Sequence, residues 1–333
     1  MQMFTLCLIY YKDCFCFFLF SGYPFSTTEG EQPDKNKEEK TRDQNNPSPE
    51  KEGETGMAAT RSPVNWMASL PEDKSLSSIT IPGTHKSLSY DGLILYRCQE
   101  LDLQAQLNAG VRYFDMELKT GIIDRTTIYV KIGTIFKYVR FTDVLKTFKV
   151  FLSNQELETV LLRVTPDRNA VHIVKDLFSQ DLNVWKEPNV PSVSQVRGKI
   201  VLIQSSTFHV GVAPGVTLIF HNRKPKEEQL PEHLRQAGKY CVDHLVVTDT
   251  SSTNLFDVPE KVAKKLNSVV GHHLEMLLKD SNRPPCLGVI AMDFPGPELI
   301  KTVIEKEPET EGEPQEEKDP QEEKEPETEG EPQ

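Results

Sequence analysis

A chain of 333 residues has room for one large domain or two small ones, and its charge is unevenly distributed. Residues 305–333 carry 14 acidic and 3 basic side chains, a net of −11, and residues 1–59 carry 10 and 6, a net of −4. The total of −12 leaves about +3 for residues 60–304, which is too little for the broad basic surface that nucleic-acid binding requires. A slightly basic domain is compatible with weak attraction to an anionic membrane surface.

The first 63 residues are not predicted to belong to a folded core. Residues 1–25 form an apolar leader of uncertain status, interrupted by Lys12 and Asp13. Its uninterrupted parts are shorter than the roughly 20 residues of a bilayer span, and it lacks the basic start of a secretory signal. A leader outside the fold and a poor signal or anchor are the two interpretations. Residues 26–63 have the composition of a disordered linker.

From residue 64 to residue 304, strand and helix patterns alternate, which predicts a parallel α/β architecture compatible with a (β/α) barrel. Helices are predicted at 100–109, 141–152, 171–178, from 259 onward and at 297–304. Strands are predicted around Ile79 and Ile81 and at 111–118, 128–132, 159–164, 199–203, 216–220, 245–248 and 287–292.

The first strand leads directly to a candidate functional residue. Pro82 and Gly83 end the alternating run, and His85 follows on the loop. Histidine is the side chain best suited to proton transfer near neutral pH. A loop at the end of a strand is where α/β proteins hold catalytic groups, so His85 is either a functional histidine or a structural one.

The six cysteines indicate a reduced, cytoplasmic protein. Cys7, Cys14 and Cys16 lie in the apolar leader, whereas Cys98, Cys241 and Cys286 are scattered through the predicted domain. An odd number in the domain, with no pair at metal-ligand spacing, predicts free thiols and not a disulfide framework.

The last 29 residues form an acidic repeat. The sequence EKEPETEGEPQ of residues 305–315 recurs as residues 323–333. A Glu/Pro tract cannot bury enough apolar surface to fold, so residues 305–333 are predicted to be a disordered tail. Binding of basic partners is the functional alternative for this tail.

Several of these segments together resemble the X-domain family of phosphatidylinositol-specific phospholipases C, in its small single-domain form. They occur in the family's order across residues 64–304, and the combination is specific although each piece alone is weak. They are NWMASLP at 65–71, IPGTHKS at 81–87, QLNAGVRYFDMEL at 106–118, FL…ETVLLRV across 151–164, RGKIVLIQ at 197–204 and GVIAMDFPG at 288–296. The resemblance implies a distorted TIM barrel with its site at the carboxyl ends of the strands.

The resemblance also implies a chemistry. In the family, a histidine oriented by an aspartate takes a proton from the inositol 2-hydroxyl, and that oxygen attacks the phosphorus. An arginine or a calcium ion neutralises the phosphoryl charge, and a second histidine protonates the diacylglycerol. His85 matches the first histidine, and Asp293 matches the aspartate that orients it.

The position of the second histidine departs from the family. That histidine precedes a glycine at the end of the third strand, and the corresponding dipeptide is Ile132-Gly133. Isoleucine has no proton to give. Lys131 is adjacent, but alternation along the strand is expected to direct it to the opposite face.

The charged positions of the family's site depart as well. Lys86 stands where the family has an aspartate after the first histidine, and Glu117 replaces the arginine that closes its D-x-R motif. A lysine of some members is absent near Thr165. An acid facing a phosphate without a cation repels the phosphate, so these changes predict a loss of activity.

Calcium is the alternative to the missing arginine. Asp115 and Glu117 lie on one face of the second strand and are the candidate ligands. Calcium requires about 6–8 oxygen ligands, and neither Lys86 nor Thr165 supplies what a calcium site would need. We therefore expect no cofactor.

The sequence thus predicts a phosphoric diester hydrolase domain of phospholipid metabolism or signalling that is catalytically impaired. The alternative is a non-catalytic protein that binds an inositol phosphate or a lipid head group, or that acts as a scaffold. The expected partners are phosphatidylinositol or its head group, with peripheral membrane contact. A cytoplasmic location is expected, with a secreted form as the alternative.

Overall fold

The computed structural model describes residues 62–91, 93–132, 139–220, 224–251 and 257–306. The predicted apolar leader, the linker up to residue 61 and the acidic tail from residue 307 lie outside the described residues. Gly133 of the Ile132-Gly133 dipeptide does as well.

In the described part of the chain, ten strands belong to one sheet. Their bounds are β1 Ile81–Thr84, β2 Tyr113–Thr120, β3 Ile128–Val130, β4 Val139–Arg140, β5 Val160–Pro166, β6 Val184–Trp185, β7 Ile200–Ile203, β8 Val216–Leu218, β9 Val246–Asp249 and β10 Val289–Met292. Eight of them pair in parallel in the order β6-β7-β5-β2-β1-β10-β9-β8. The described strands include no ladder between β6 and β8, so the sheet curls without closing. The predicted distorted α/β barrel is confirmed in this open form.

Helices cover the outside of the curled sheet. They are α1 Leu103–Asn108, α2 Phe141–Asn154, α3 Val171–Ser179, α4 Val193–Val196, α5 Lys226–Tyr240, α6 Pro259–Lys279 and α7 Pro297–Glu305, and 3₁₀ helices occupy Pro63–Ser69 and Leu76–Ser78. The apolar residues of α2 that recur at helical spacing are the ones that become buried against the strands. Among the helices described, none has the length and hydropathy that a membrane span requires.

The helix α5 was not predicted from the sequence. Its buried stripe consists of Leu230, His233, Leu234 and Ala237, which is narrower and less apolar than that of the other long helices. Pro231 lies inside it, and proline is a helix-breaking signal beyond the first turn. Tertiary packing overrides that signal, because Leu230 and Leu234 are completely buried against α6 and the sheet.

The prediction of free cysteines is wrong for two of them. Cys241, which follows α5, and Cys286, which precedes β10, form a disulfide with their Cα atoms 6.0 Å apart. Forty-five residues separate them in sequence, so spacing gave no sign of the pairing. Cys98 is free and buried. Because a disulfide is typical of oxidising compartments, the cysteine pattern no longer supports a cytoplasmic location.

A buried ion pair fixes the amino-terminal edge of the barrel. Arg112 Nε donates to Glu158 Oε2 at 2.7 Å, and both side chains are completely inaccessible to solvent. The remaining guanidinium donors reach backbone carbonyls, including Val64 O at 2.7 Å, and Glu158 Oε1 accepts from Ala68 N at 3.1 Å. The pair therefore ties the segment before β1 to the starts of β2 and β5.

Removing one partner of this pair is expected to destabilise the fold strongly. Glu158→Gln leaves the Arg112 guanidinium charged and unpaired in the interior, which costs about 3–5 kcal/mol. The free energy of unfolding in urea measures this. The matched control is Glu232→Gln, which breaks a 2.7 Å pair with Arg235 on the exposed surface of α5 and is expected to change the unfolding midpoint marginally. Equal effects of the two substitutions would contradict the assigned role of the buried pair.

Candidate active site

The carboxyl edge of the barrel begins with a tight turn after β1. Gly83, the third residue of β1, leads into this turn and has to be glycine, because a Cβ atom at this position would lie 2.8 Å from Tyr113 Cδ1 on β2. Ser87 Oγ donates to Thr84 O at 3.1 Å and accepts from Asp115 N at 2.9 Å, which closes the turn against β2. Lys86 has φ of 41°, a left-handed conformation that is uncommon for a residue with a side chain. The turn directs the side chain of His85 into the mouth of the barrel.

His85 and Asp293, the two residues matched to the family's histidine and aspartate, form a hydrogen-bonded pair. The distance from His85 Nδ1 to Asp293 Oδ1 is 2.9 Å. The imidazole is 15% exposed and the carboxylate 1%. Asp293 follows β10 directly, and Asn267 Nδ2 on α6 donates to both Asp293 O and Phe294 O, at 2.9 and 3.0 Å. The dyad is therefore held by the barrel on one side and by a helix on the other.

An amide side chain joins the two strand ends that carry the dyad. Gln99 Nε2 donates to His85 O at 2.7 Å and to Met292 O at 3.0 Å, and Gln99 is 1% exposed. The neighbouring Cys98 O accepts from Phe294 N at 2.8 Å. Neither residue was predicted to belong to the site, because both lie in the irregular segment between β1 and α1. The glutamine fixes the backbone positions from which His85 and Asp293 extend.

The surroundings of His85 favour its protonated form. Burial is the largest contribution and lowers the pKa of the imidazole, but the hydrogen bond and the charge of Asp293 raise it. Smaller contributions from the Cys98 thiol and the Asp249 carboxylate also raise the pKa, and the net result lies well above the usual 6.5. Asp293 therefore makes His85 a stronger proton acceptor than a free imidazole.

Asp115, the first of the two candidate acids on β2, is already paired with a cation. Asp115 Oδ1 accepts from Arg163 NH1 at 3.0 Å, and the two residues are direct neighbours in the β2–β5 ladder. Burial raises the pKa of Asp115, and the charges of Arg163 and His85 oppose this without cancelling it. Arg163 was not singled out from the sequence, although alternation along β5 places it on the same face as Thr165.

Glu117 is also paired with a cation. Lys131 Nζ lies 3.0 Å from Glu117 Oε2, and Lys131 N donates to Glu117 O at 2.8 Å. Burial raises the pKa of Glu117, but Lys131, with smaller effects of Lys86 and His85, lowers it below its usual value. Glu117 is therefore ionised and neutralised by its neighbour.

Lys131 and Ile132 point to opposite faces, as alternation along the strand predicted. However, Lys131 shares the face of Glu117, because directly opposed residues of antiparallel strands lie on the same side. Ile132 is 8% exposed and packs in the main apolar core with Val130.

Among the described residues, the two predicted calcium ligands do not form an open oxygen cage. Asp115 is bonded to Arg163 and Glu117 to Lys131. Thr165, which neighbours Glu117 in the β2–β5 ladder, offers a hydroxyl and no charge. The arrangement can accept a proton at His85, and its basic groups near the β2 carboxylates are engaged in ion pairs.

A curled parallel sheet covered by helices, with a hydrogen-bonded histidine and aspartate at its carboxyl edge, is an open α/β barrel. The chain belongs to the phosphatidylinositol-specific phospholipase C X-domain family. A profile of the family described as "Phosphatidylinositol-specific phospholipase C, X domain" matches residues 73–206. The chain is also 30% identical over 274 residues to the 1-phosphatidylinositol phosphodiesterase of Listeria monocytogenes, covering 72% of this chain and 84% of the relative.

Solved structures agree on the fold. The phosphatidylinositol-specific phospholipase C from Listeria monocytogenes superposes with a TM-score of 0.63 at 24% identity, over 74% of this chain and all of the other. The Staphylococcus aureus phospholipase C, in a structure concerned with its membrane binding, superposes with a TM-score of 0.60 at 20% identity, over 75% and 99% of the two chains. The similarity therefore covers nearly the whole of each neighbour.

Replacing the carboxylate of the dyad is expected to lower the pKa of His85. Asp293→Asn keeps the side-chain size but removes the charge that opposes burial. A proton NMR titration of the histidine ring signals measures the change, and the signal missing in His85→Gln provides the assignment. An unchanged His85 pKa in Asp293→Asn would show that Asp293 does not control this proton.

The raised pKa of His85 also determines how its contribution to stability changes with pH. The folded-state pKa of His85 is raised, so its contribution to stability is fully present below about pH 6.5 and is lost as pH rises through the folded-state pKa. The stability difference between the wild type and Asp293→Asn should therefore narrow as pH rises through that pKa.

Proposed function

We propose that this chain is an impaired phosphatidylinositol phospholipase C that binds an anionic inositol phosphate head group at its barrel mouth. The observation that supports this most strongly is the contrast between the two halves of the site. The half that would accept the proton consists of His85 and Asp293, which share a 2.9 Å hydrogen bond, and the Gln99 side chain holds the backbone of His85. The positions assigned to the acid and to the phosphate-binding charge are occupied by Ile132 and Glu117.

The missing acid is the first reason for impairment. Protonation of the leaving group contributes about 10²–10⁴-fold to such reactions. Ile132 is packed in the apolar core, so neither a water molecule nor a side-chain rotation at this position supplies a proton. Lys131 is on the pocket side of the strand, but its ammonium is held by Glu117.

The missing free positive charge is the second reason. A guanidinium that neutralises a phosphoryl group contributes on the order of 10³-fold or more in phosphoryl transfer. Arg163 carries a guanidinium on the inner face of the barrel, but it is committed to Asp115. Such losses are not strictly additive, yet together they remove most of the activity.

The cations that remain favour binding of an anion. The His85 imidazolium and the exposed Lys86 both lie at the mouth, and both act electrostatically on Glu117. An inositol phosphate can compete with Glu117 for Lys131 without breaking a buried pair, because Lys131 is 48% exposed. We therefore assign the head group to this edge of the barrel.

Apolar side chains flank the same edge and support peripheral membrane contact. Leu93, Ile94 and Leu95 follow β1 and are 47–58% exposed. Ile122 and Ile123 lie in the turn after β2 and are 71% and 99% exposed. Because β1 and β2 are adjacent and parallel, both loops extend from the carboxyl edge that carries His85.

Turnover tests the proposal directly. Release of soluble inositol phosphate from phosphatidylinositol vesicles is expected to be at least about 10⁴-fold slower than for the Listeria monocytogenes relative, with or without calcium. Glu117→Arg, which places a cation at the position of the family's arginine and releases Lys131, is expected to raise the rate, and adding His85→Ala to that variant should abolish the gain. Wild-type turnover near that of the relative, lost in His85→Ala, would overturn the impairment.

Membrane contact has its own test. Ile122→Ser with Ile123→Ser is expected to weaken co-sedimentation with phosphatidylinositol-containing vesicles by about 10-fold or more, since burying one large aliphatic side chain contributes about 1.5–3 kcal/mol. Leu182→Ser is the matched control, because Leu182 is 88% exposed but lies before β6, at the amino edge of the barrel. Equal losses in the two variants would exclude the β2 turn as the contact.

A further inference from the structure

The three side chains His85, Cys98 and Asp293 offer one nitrogen, one sulfur and one oxygen ligand atom at the barrel mouth. These three atoms all lie within 4.8 Å of one another. The carboxylate and the thiol are almost completely buried, whereas the imidazole is 15% exposed. The phosphodiester chemistry described above has no use for Cys98.

We propose that this cluster is a binding site for a divalent transition metal ion of the zinc class. Imidazole nitrogen, thiolate sulfur and carboxylate oxygen are the ligand types that zinc takes in proteins, and three protein ligands leave a fourth position open. With zinc's usual bond lengths, a tetrahedral centre spaces its ligand atoms about 3.4–3.6 Å apart. The widest pair in the cluster therefore has to close by little more than about 1 Å.

The charges balance in the bound state. Binding releases the Cys98 thiol proton and any proton on His85 to solvent. One thiolate, one carboxylate and one neutral imidazole around a divalent cation then give a site with no net charge. A neutral complex avoids the large desolvation cost of an unpaired ion in a buried position. The exposed side of His85 provides the entry path.

The backbone around the three ligands is already fixed. Gln99 joins the carbonyls of His85 and Met292, and Phe294 N bonds to Cys98 O at 2.8 Å. Cys98 N donates to Ser89 O at 2.8 Å, which holds the cysteine from its other side. Three segments that are distant in sequence are thus braced against each other, and the metal has to reorder side chains only.

Metal binding and base chemistry exclude each other at this site. A bound ion takes ligand atoms from both members of the His85–Asp293 dyad, so the loaded protein cannot use that pair to accept a proton. Metal binding by the cluster does not depend on enzymatic turnover, so its test is independent of the phospholipase assay.

The test uses the full chain with Cys7, Cys14 and Cys16 replaced by serine. Because Cys241 and Cys286 are joined, this parent leaves Cys98 as the remaining free thiol of the six cysteines. Titration with Co²⁺ is expected to give a thiolate-to-metal charge-transfer band that saturates at one equivalent. One equivalent of Zn²⁺ should displace the Co²⁺ and remove the band.

Two substitutions and one control complete the design. Cys98→Ser should abolish the band and weaken Zn²⁺ binding by at least about 100-fold, since even indirect partners of metal ligands contribute about 10–100-fold. Asp293→Asn should weaken Zn²⁺ binding by a similar factor. His272→Gln with His273→Gln removes an adjacent histidine pair of α6 and should change neither the band nor the affinity.

The proposal is overturned if the folded parent gives no charge-transfer band, or if Zn²⁺ affinity in Cys98→Ser equals that of the parent. Circular dichroism establishes folding in each case. Should Cys98→Ser fail to fold, the band of the parent decides the question, because it can arise from Cys98 alone.

Discussion

The parallel ladder between β1 and β10 is the constraint on which the site depends. It pairs Thr84 with Met292, so that the next residue of each strand, His85 and Asp293, emerges at the same level although 208 positions separate them. His85 N donates to Met292 O at 3.0 Å, and the Gln99 amide closes the same edge from the other side. A shift of one residue in this ladder would direct one member of the dyad to the opposite face of the sheet.

Charge compensation governs the rest of the barrel mouth. Each acidic residue that β2 presents to the interior faces a cation from a neighbouring strand, Arg163 for Asp115 and Lys131 for Glu117. This arrangement removes the repulsion that an isolated carboxylate would exert on a phosphate. It also engages the two cations that would otherwise stabilise a phosphoryl transition state. Glu117 thus affects the barrel mouth through its partner as well as through its own charge.

Most of the strands could be predicted from the sequence, because the buried ones are short apolar runs, whereas the two-residue strands β4 and β6 could not. Periodicity alone left His85 as either a functional or a structural histidine, and its pairing with Asp293 was implied by the family motifs. The contact between Lys131 and Glu117 could not be predicted, because alternation within one strand does not say what each face borders. The pairing of β3 with β2 brings the two side chains to the same face. The disulfide between Cys241 and Cys286 was missed because α5, which brings Cys241 to β10, has a weak sequence pattern. Cys98 lies in irregular chain, where periodicity carries no information.

The intact dyad is not by itself an argument for catalysis. Asp293 is 1% exposed, and a carboxylate in that position needs a positively charged or hydrogen-bonding partner to remain ionised. Removing the imidazole would leave a buried charge without its side-chain hydrogen bond to His85, and breaking a buried pair in this way costs about 3–5 kcal/mol. His85 therefore contributes to the stability of the barrel mouth whether or not it takes part in proton transfer. Stability places no such requirement on Ile132 or Glu117, because hydrocarbon packs well in the core and an exposed lysine is enough to neutralise Glu117. The fold by itself thus accounts for the His85–Asp293 pair, whereas the half-exposed Glu117–Lys131 pair contributes little to stability.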